Sequence, residues 1–148
     1  MRNEPIVLDD RAAALARYPH GRVVAPAPDQ ALVFVSGISS RKPDNSWEGV
    51  TVHIDGTVTL DIHQQTTAVL DNIDVILQAA GASLKDVVDM TVFLVDMNHY
   101  AGMNEIWNAR FPTKENAPAR TTVAVHQLPH KHLLVEMKAV ALLPAKKA

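Results

Sequence analysis

The strongest constraint on the fold is a pair of strand-like runs near the carboxyl end of the chain, each carrying one charged residue of interest. Residues 118–128 read PARTTVAVHQL, and residues 133–143 read LLVEMKAVALL. β-Branched residues, which favour extended backbone, fill much of the first run, and Pro129 interrupts the pattern between the two. The sequence therefore predicts two antiparallel strands joined by a short turn.

Arg120 lies at the start of the first run and Glu136 lies within the second. Alternate residues of a strand share one face, so Arg120 and Thr122 are predicted to point the same way. A turn over 129–132 would bring Glu136 near Thr122, which places the guanidinium and the carboxylate roughly 7–10 Å apart on one surface. That gap suits a small carboxylic acid plus a water. The alternative is that both are surface charges that keep the sheet soluble.

Composition limits the partners that the chain can take. It has 148 residues, of which 47% are hydrophobic and 20% are charged, and its net charge is −2 at pH 7. One domain spanning 1–148 is predicted, and neither nucleic acid nor an acidic membrane is electrostatically favoured as a partner. The absence of cysteine excludes disulfides and thiolate chemistry in this sequence. The first ten residues lack a hydrophobic signal segment, so a soluble cytoplasmic protein is expected.

Hydrophobic periodicity predicts the other elements. Apolar residues recur at helical spacing over 61–80, and Gly81 is suited to end that helix. A second helical stripe, ended by Pro112, consists of Tyr100, Met103, Trp107 and Phe111. Further strands are predicted at 22–26, 31–36, 50–54 and 87–95.

The two ends of the chain are predicted to lie outside the sheet. Residues 1–17 are interpreted as an N-terminal extension that contains a short helix over 11–17, and residues 144–148 as a flexible tail. Three strands, a helix, a strand, a helix and two strands make one α+β domain. We therefore expect a six-stranded mixed sheet with both helices packed on one face. Self-association would cover the other face, because so short a chain has no third layer.

The carboxyl-terminal pattern resembles the signature of the RidA/YjgF family of enamine and imine deaminases. The matching features are Pro118-Ala119-Arg120, Leu128-Pro129 and Leu134-Val135-Glu136-Met137, together with Ser36-Gly37, residues 77–81, residues 92–97 and Met103-Asn104. The similarity extends from Tyr18 to Leu143 in the same order of elements.

This resemblance implies a chorismate-mutase-like fold and a homotrimer whose sheets form a central barrel, with sites between subunits. It also implies roles for individual residues. Arg120 would bind the substrate carboxylate and Glu136 would position water, while the pocket would be lined by Tyr18, Ser36, Gly37 and Asn104. Thr122 stands where the family often has cysteine, so it would retain contact with the ligand without thiol chemistry.

Three segments are similar to the 2-aminomuconate deaminase branch of the family: residues 14–20, 39–45 and 125–130. The branch implies hydrolysis of 2-aminomuconate, an unsaturated amino dicarboxylate, to 2-oxo-hexenedioate and ammonia in the degradation of aromatic compounds. No metal or cofactor is expected, because an iminium carbon is already electrophilic. Arg17, Arg41 and His126 are candidates for holding the far carboxylate, and each is also explicable as a solvated surface side chain.

Two other functions remain open. The first is a general deaminase of 2-imino acids and enamines. The second, of another class, is a non-catalytic trimer that binds small carboxylates in the same clefts. A metal site at His126, His130 and His132 is disfavoured, because no carboxylate or cysteine in that segment completes it.

Overall fold

The computed structural model describes residues 2–13 and 19–144, in which eight strands and two α-helices form. The strands are β1 (Arg2–Ile6), β2 (Gly21–Ala27), β3 (Gln30–Ile38), β4 (Val50–Val52), β5 (Val58–Leu60), β6 (Val87–Leu94), β7 (Ala119–Ala124) and β8 (Val135–Leu142). The α-helices are α1 (Ile62–Ala79) and α2 (Tyr100–Arg110), and short 3₁₀ turns cover Leu84–Asp86 and Met97–His99.

Six strands form one mixed sheet in the order β1-β2-β3-β8-β6-β7. Every neighbouring pair is antiparallel except β6 and β7, which are parallel and are connected through α2. A parallel pair requires such a crossover, because a tight turn cannot reverse the chain twice. The predicted α+β domain, with a six-stranded mixed sheet and two helices, is confirmed.

The identity of the sixth strand differs from the prediction. The strand predicted at 50–54 is β4, which pairs only with β5 in a separate hairpin. Its place in the sheet is taken by β1, inside the segment interpreted as an N-terminal extension. Of the short helix predicted over 11–17, residues 11–13 are not helical and residues 14–17 lie outside the described part of the chain.

Both helices bury most of the stripe that their periodicity predicts, although Tyr100 of the second stripe is exposed. The Asp61 carboxylate accepts a hydrogen bond from the Gln64 backbone N–H and begins α1, and Gly81 follows its end at φ +87°. Glycine tolerates this left-handed conformation, which lets the chain turn towards β6. In α2, Met103 and Trp107 are buried. Neither α-helix of the described chain combines the length and apolarity that crossing a bilayer requires.

The sheet has one face under the helices and one open face. Met90 and Val92 of β6, and Met137 of β8, are fully buried against the helical layer. On the opposite face Phe34, Val123 and Leu142 are exposed. This apolar open face is consistent with the predicted trimeric barrel, which remains a prediction for a single chain.

The predicted hairpin of the two carboxyl-terminal strands is wrong. Both β7 and β8 pair with β6, which lies between them in the sheet. The alternation of apolar residues had identified each strand correctly, but alternation carries no information on which strand lies alongside. The inserted strand changes the geometry of the candidate site.

Candidate active site

Arg120 is fixed in orientation by residues of α2. Its Nη1 donates to the Asn104 side-chain oxygen at 2.8 Å, and its Nη2 donates to the Tyr100 hydroxyl at 3.3 Å. The guanidinium carbon lies 4.7 Å from the centre of the Trp107 ring. The flat cation is thus clamped by an amide, a hydroxyl and an aromatic face, which restricts its rotation. We call Arg120 and these three neighbours the arginine cluster.

The charge of Arg120 is not neutralised by its neighbours. Its hydrogen-bond partners are neutral, and no carboxylate of residues 2–13 or 19–144 forms a salt bridge with it. Thr122 points to the same face of β7, where its hydroxyl oxygen is buried without a partner in the described structure. A half-buried arginine held by neutral groups is suited to bind a carboxylate in a defined plane.

Glu136 owes its position to a bulge in β3. The register between β3 and β8 shifts between Val35 and Ile38, which leaves one extra residue on β3. At this point a side chain on Gly37 would place its Cβ 2.6 Å from the Glu136 Oε1 atom. Gly37 therefore gives the carboxylate room to lie directly over the β3 backbone.

The half-buried Glu136 borders a cavity of about 110 Å³. Burial raises the pKa of its carboxyl above the ordinary value of 4.5. A desolvated carboxylate with a raised pKa is a stronger proton acceptor than an exposed one, and it can return the proton that it accepts. We call this space the glutamate cavity. Its lining includes Ser36, Gly37, Ser39, Arg41, Trp47, His130 and Leu133.

Arg120 and Glu136 do not share a surface in one chain, contrary to the prediction. Arg120 is in register with Met90, and Glu136 is in register with Phe93, three residues further along β6. An odd separation places the two side chains on opposite faces of the sheet. Two strand spacings and three residues put their Cα atoms roughly 14 Å apart. One small substrate cannot reach both groups in an isolated subunit.

A comparison with known proteins decides the family. The model of the family described as Endoribonuclease L-PSP matches residues 9–143. The chain belongs to this family. L-PSP and RidA/YjgF are two names for one family. The family that residues 118–137 suggested is therefore confirmed.

Individual L-PSP family members show how far the similarity extends. A RutC family protein of Pyrococcus abyssi is 51% identical over 81 residues, which cover 55% of this chain and 61% of that protein's length. The 2-iminobutanoate/2-iminopropanoate deaminase of Escherichia coli is 40% identical over 89 residues, 59% of this chain and 68% of that protein. The crystal structure of YEO7_yeast superposes with a TM-score of 0.77 at 31% identity and covers 98% of this chain and 99% of its own.

The structure separates the remaining predicted site residues of this L-PSP chain into two groups. Asn104 and Thr122 lie with Arg120, whereas Ser36 and Gly37 lie with Glu136. The Ser36 hydroxyl donates to the Pro19 carbonyl at 2.7 Å, which ties β3 to the segment before β2. Tyr18 lies outside the described residues, so its predicted role stays a prediction.

The candidates for a second carboxylate also divide. Arg41 lines the glutamate cavity, His126 is exposed in the loop after β7, and Arg17 lies outside the described residues. His130 and His132 contact each other at 5.0 Å between ring centres. Within the described ranges, no three histidine or carboxylate side chains group as metal ligands.

Several residues of the site escaped the sequence interpretation. Tyr100 and Trp107 were recognised only as a helical stripe, although both contact Arg120. Trp47 stacks on His130 with ring centres 3.8 Å apart, and Arg11 reaches the same cavity. The signal available for Tyr100 was its place at the exposed edge of an otherwise buried stripe; the others come from loops, where no periodicity predicts a contact.

Proposed function

We propose that this chain hydrolyses 2-imino acids and their enamine tautomers to 2-oxo acids and ammonia, at a site completed by a second subunit. The observation that carries the proposal is that one chain holds both an oriented, uncompensated guanidinium and, on the other face of the sheet, a desolvated carboxylate beside a cavity. The similarity to the 2-iminobutanoate/2-iminopropanoate deaminase of Escherichia coli supports it. Neither group alone can bind and hydrolyse such a substrate.

The two groups divide the chemistry between them. Arg120 binds the carboxylate next to the C=N carbon through paired hydrogen bonds and so fixes the plane of the imine. Glu136 accepts a proton from a water whose oxygen forms a bond to that carbon. Glu136 returns that proton to the nitrogen of the resulting carbinolamine, the C–N bond breaks and ammonia leaves, and the hydroxyl loses its proton to solvent as the C=O group forms. An enamine substrate first takes a proton at carbon to become the protonated imine, whose C=N carbon the water attacks.

A homotrimer with intersubunit sites resolves the separation of Arg120 and Glu136. The apolar open face, with Phe34 and Val123 exposed, offers a surface for contact between copies. In such an assembly the arginine cluster of one subunit faces the glutamate cavity of the next. Each site then takes its carboxylate clamp from one chain and its proton acceptor from another.

A finer proposal concerns the substrate, for which 2-aminomuconate is our candidate. The resemblance of residues 14–20, 39–45 and 125–130 to the 2-aminomuconate deaminase branch supports this choice, as does Arg41 in the glutamate cavity. The alternative, a trimer that binds small carboxylates without turnover, would use the same residues. Turnover separates the two functions.

The test measures ammonia release above the spontaneous rate from 2-iminobutanoate generated in place by an amino-acid oxidase, and from freshly prepared 2-aminomuconate. The parent chain is expected to accelerate hydrolysis. Glu136→Gln should lower kcat at least 10²-fold, in the range typical of a lost general base, while 2-oxobutanoate still binds. The matched control is Glu115→Gln, an exposed glutamate outside both clusters. Binding of 2-oxobutanoate without any acceleration by the parent would leave the non-catalytic alternative.

A further inference from the structure

The lining of the glutamate cavity is unevenly charged. Among the described residues that border it, Glu136 is the one acid, whereas Arg11 and Arg41 carry positive charge. A cavity that needed to accept only a neutral imine carbon and a water would not require two guanidinium groups. The excess of positive charge indicates that an anion occupies part of this space.

Each of the two guanidinium groups keeps capacity for a further acceptor. Arg41 donates through Nη2 to the backbone carbonyl of Ala13, which is a neutral acceptor. Arg11 forms a salt bridge with the exposed Asp10 carboxylate at 3.9 Å, but its buried Nε atom has no hydrogen-bond partner in the described structure. A buried donor without an acceptor is costly, so a ligand that supplies one would be stabilised there.

The backbone that carries Arg41 is held in place before any ligand arrives. The Asn72 side-chain amide donates to the carbonyls of Ser39 and Arg41 at 3.0 and 3.2 Å. Arg41 also forms a β-bridge with Trp47, whose ring stacks on His130 in the wall of the cavity. Because α1 and this loop fix its main chain, Arg41 loses little conformational freedom when it binds.

The two arginines and Glu136 border the same cavity. His126, the other described candidate, is exposed and does not border this space.

We infer that Arg11 and Arg41 form a second anion subsite, which adapts the glutamate cavity to 2-imino acids that carry another carboxylate at the end remote from the C=N carbon. The inference rests on the proposed function and deepens it by assigning the substrate class to residues. Arg120 of the neighbouring subunit would hold the near carboxylate, and the two cavity arginines would hold the far one. Bidentate pairing suits guanidinium groups to this task.

The experiment compares a dicarboxylate with a monocarboxylate. Imines of 2-oxoglutarate and 2-oxobutanoate are generated in place by amino-acid oxidases, and kcat/KM for ammonia release is measured for the parent, Arg41→Gln and Arg11→Gln. We expect the ratio of the dicarboxylate value to the monocarboxylate value to fall at least tenfold in each variant. The control, Lys42→Gln, removes the neighbouring positive charge, which pairs with Glu48 at 3.6 Å outside the cavity, and should leave the ratio unchanged.

Binding measurements keep failure of the subsite distinct from failure of the proposed function. Dissociation constants for 2-oxoglutarate and 2-oxobutanoate are obtained by calorimetry on the same variants, whose folding is checked by thermal melts. An unchanged ratio, or an equal loss for both substrates, overturns the subsite although the chain remains a deaminase. A different outcome is that the parent accelerates hydrolysis of neither imine but binds 2-oxoglutarate more tightly than 2-oxobutanoate, and that Arg41→Gln removes this preference. That result supports the subsite and overturns the proposed deaminase activity.

Discussion

At the scale of single residues, Glu136 is placed where ionisation costs stability. The folded chain raises the pKa of its carboxyl above 4.5 through burial, so the native state binds this proton more tightly than the unfolded chain does. The stability that protonation of Glu136 provides is complete below the unfolded pKa. It is lost as the pH rises through the folded pKa. Ionisation of the buried Glu136 carboxyl is therefore a cost to stability that its proposed function explains.

Glu136→Gln is expected to raise the melting temperature at pH 7.5 by ~1–3 °C, because the neutral amide avoids the cost of burying a charge. The gain should disappear below pH 4.5, where the native carboxyl is already protonated. Thermal melts from pH 4 to pH 8 measure the effect, with Glu115→Gln as the exposed control. A variant that melts lower than the parent at pH 7.5 would contradict the role assigned to burial.

At the scale of elements, Gln65 of α1 holds together segments that are distant in sequence. The side chain is fully buried; its Nε2 donates to the His132 carbonyl at 2.8 Å and its Oε1 accepts from the Leu134 N–H at 2.8 Å. These two bonds fix the chain just before β8, and hence the start of the strand that carries Glu136. The Gln65 side-chain amide thus gives these two backbone groups the hydrogen bonds that a neighbouring strand would otherwise provide.

Gln65→Leu keeps the approximate shape of the side chain but leaves the buried Leu134 N–H and the partly buried His132 carbonyl without these partners. Each such group costs about 1–3 kcal/mol, so the free energy of unfolding should fall by about 2–4 kcal/mol. Urea denaturation measures the change. Gln64→Leu, at the exposed neighbouring position, is the control and should differ from the parent by less than about 0.5 kcal/mol. An effect of Gln65→Leu as small as that of the control would show that the two bonds are dispensable.

Elements with local signals could be predicted from the sequence, whereas pairings could not. The helix at 62–79 was predicted almost to its ends because capping by Asp61 and the stop at Gly81 act within a few residues. The order of strands depends on packing between distant segments, so the sequences of β7 and β8 contain no signal that β6 lies between them. β1 was missed because RNEPI lacks the β-branched composition of a strand.

Some residues of the candidate site could be predicted from the sequence, but their positions relative to one another could not. Charges inside strand-like sequence identified Arg120 and Glu136, because charges are rare in half-buried strands. Their placement on opposite faces followed from the strand order and was therefore predicted wrongly. Trp47 and Arg11 reach the cavity from loops whose contacts are set by the whole fold.

At the scale of the whole molecule, the proposed trimer can be tested by mixing two inactive variants. Arg120→Gln removes the carboxylate clamp and Glu136→Gln removes the proton acceptor, so each homotrimer should be inactive. Random mixed trimers with intersubunit sites would contain intact arginine and glutamate at one site in four, and should recover roughly a quarter of the parent activity. Co-expression with two distinguishable tags, followed by the ammonia assay, measures this recovery.

The matched control pairs Arg120→Gln with the double variant Arg120→Gln/Glu136→Gln, from which no mixture can assemble an intact site. Mixed trimers that form, as judged by both tags and by mass, but remain inactive would exclude sites built between subunits. Activity in the control mixture would show that Arg120 is not required.

The division of Arg120 and Glu136 between the two faces of one sheet makes the proposed activity a property of subunit concentration. Below the level at which copies associate, every chain would be intact and correctly folded, yet none would contain a complete catalyst. Changes at open-face residues that do not contact the substrate could then abolish turnover by weakening association alone. Dosage and dilution would thus regulate this protein without any dedicated inhibitor.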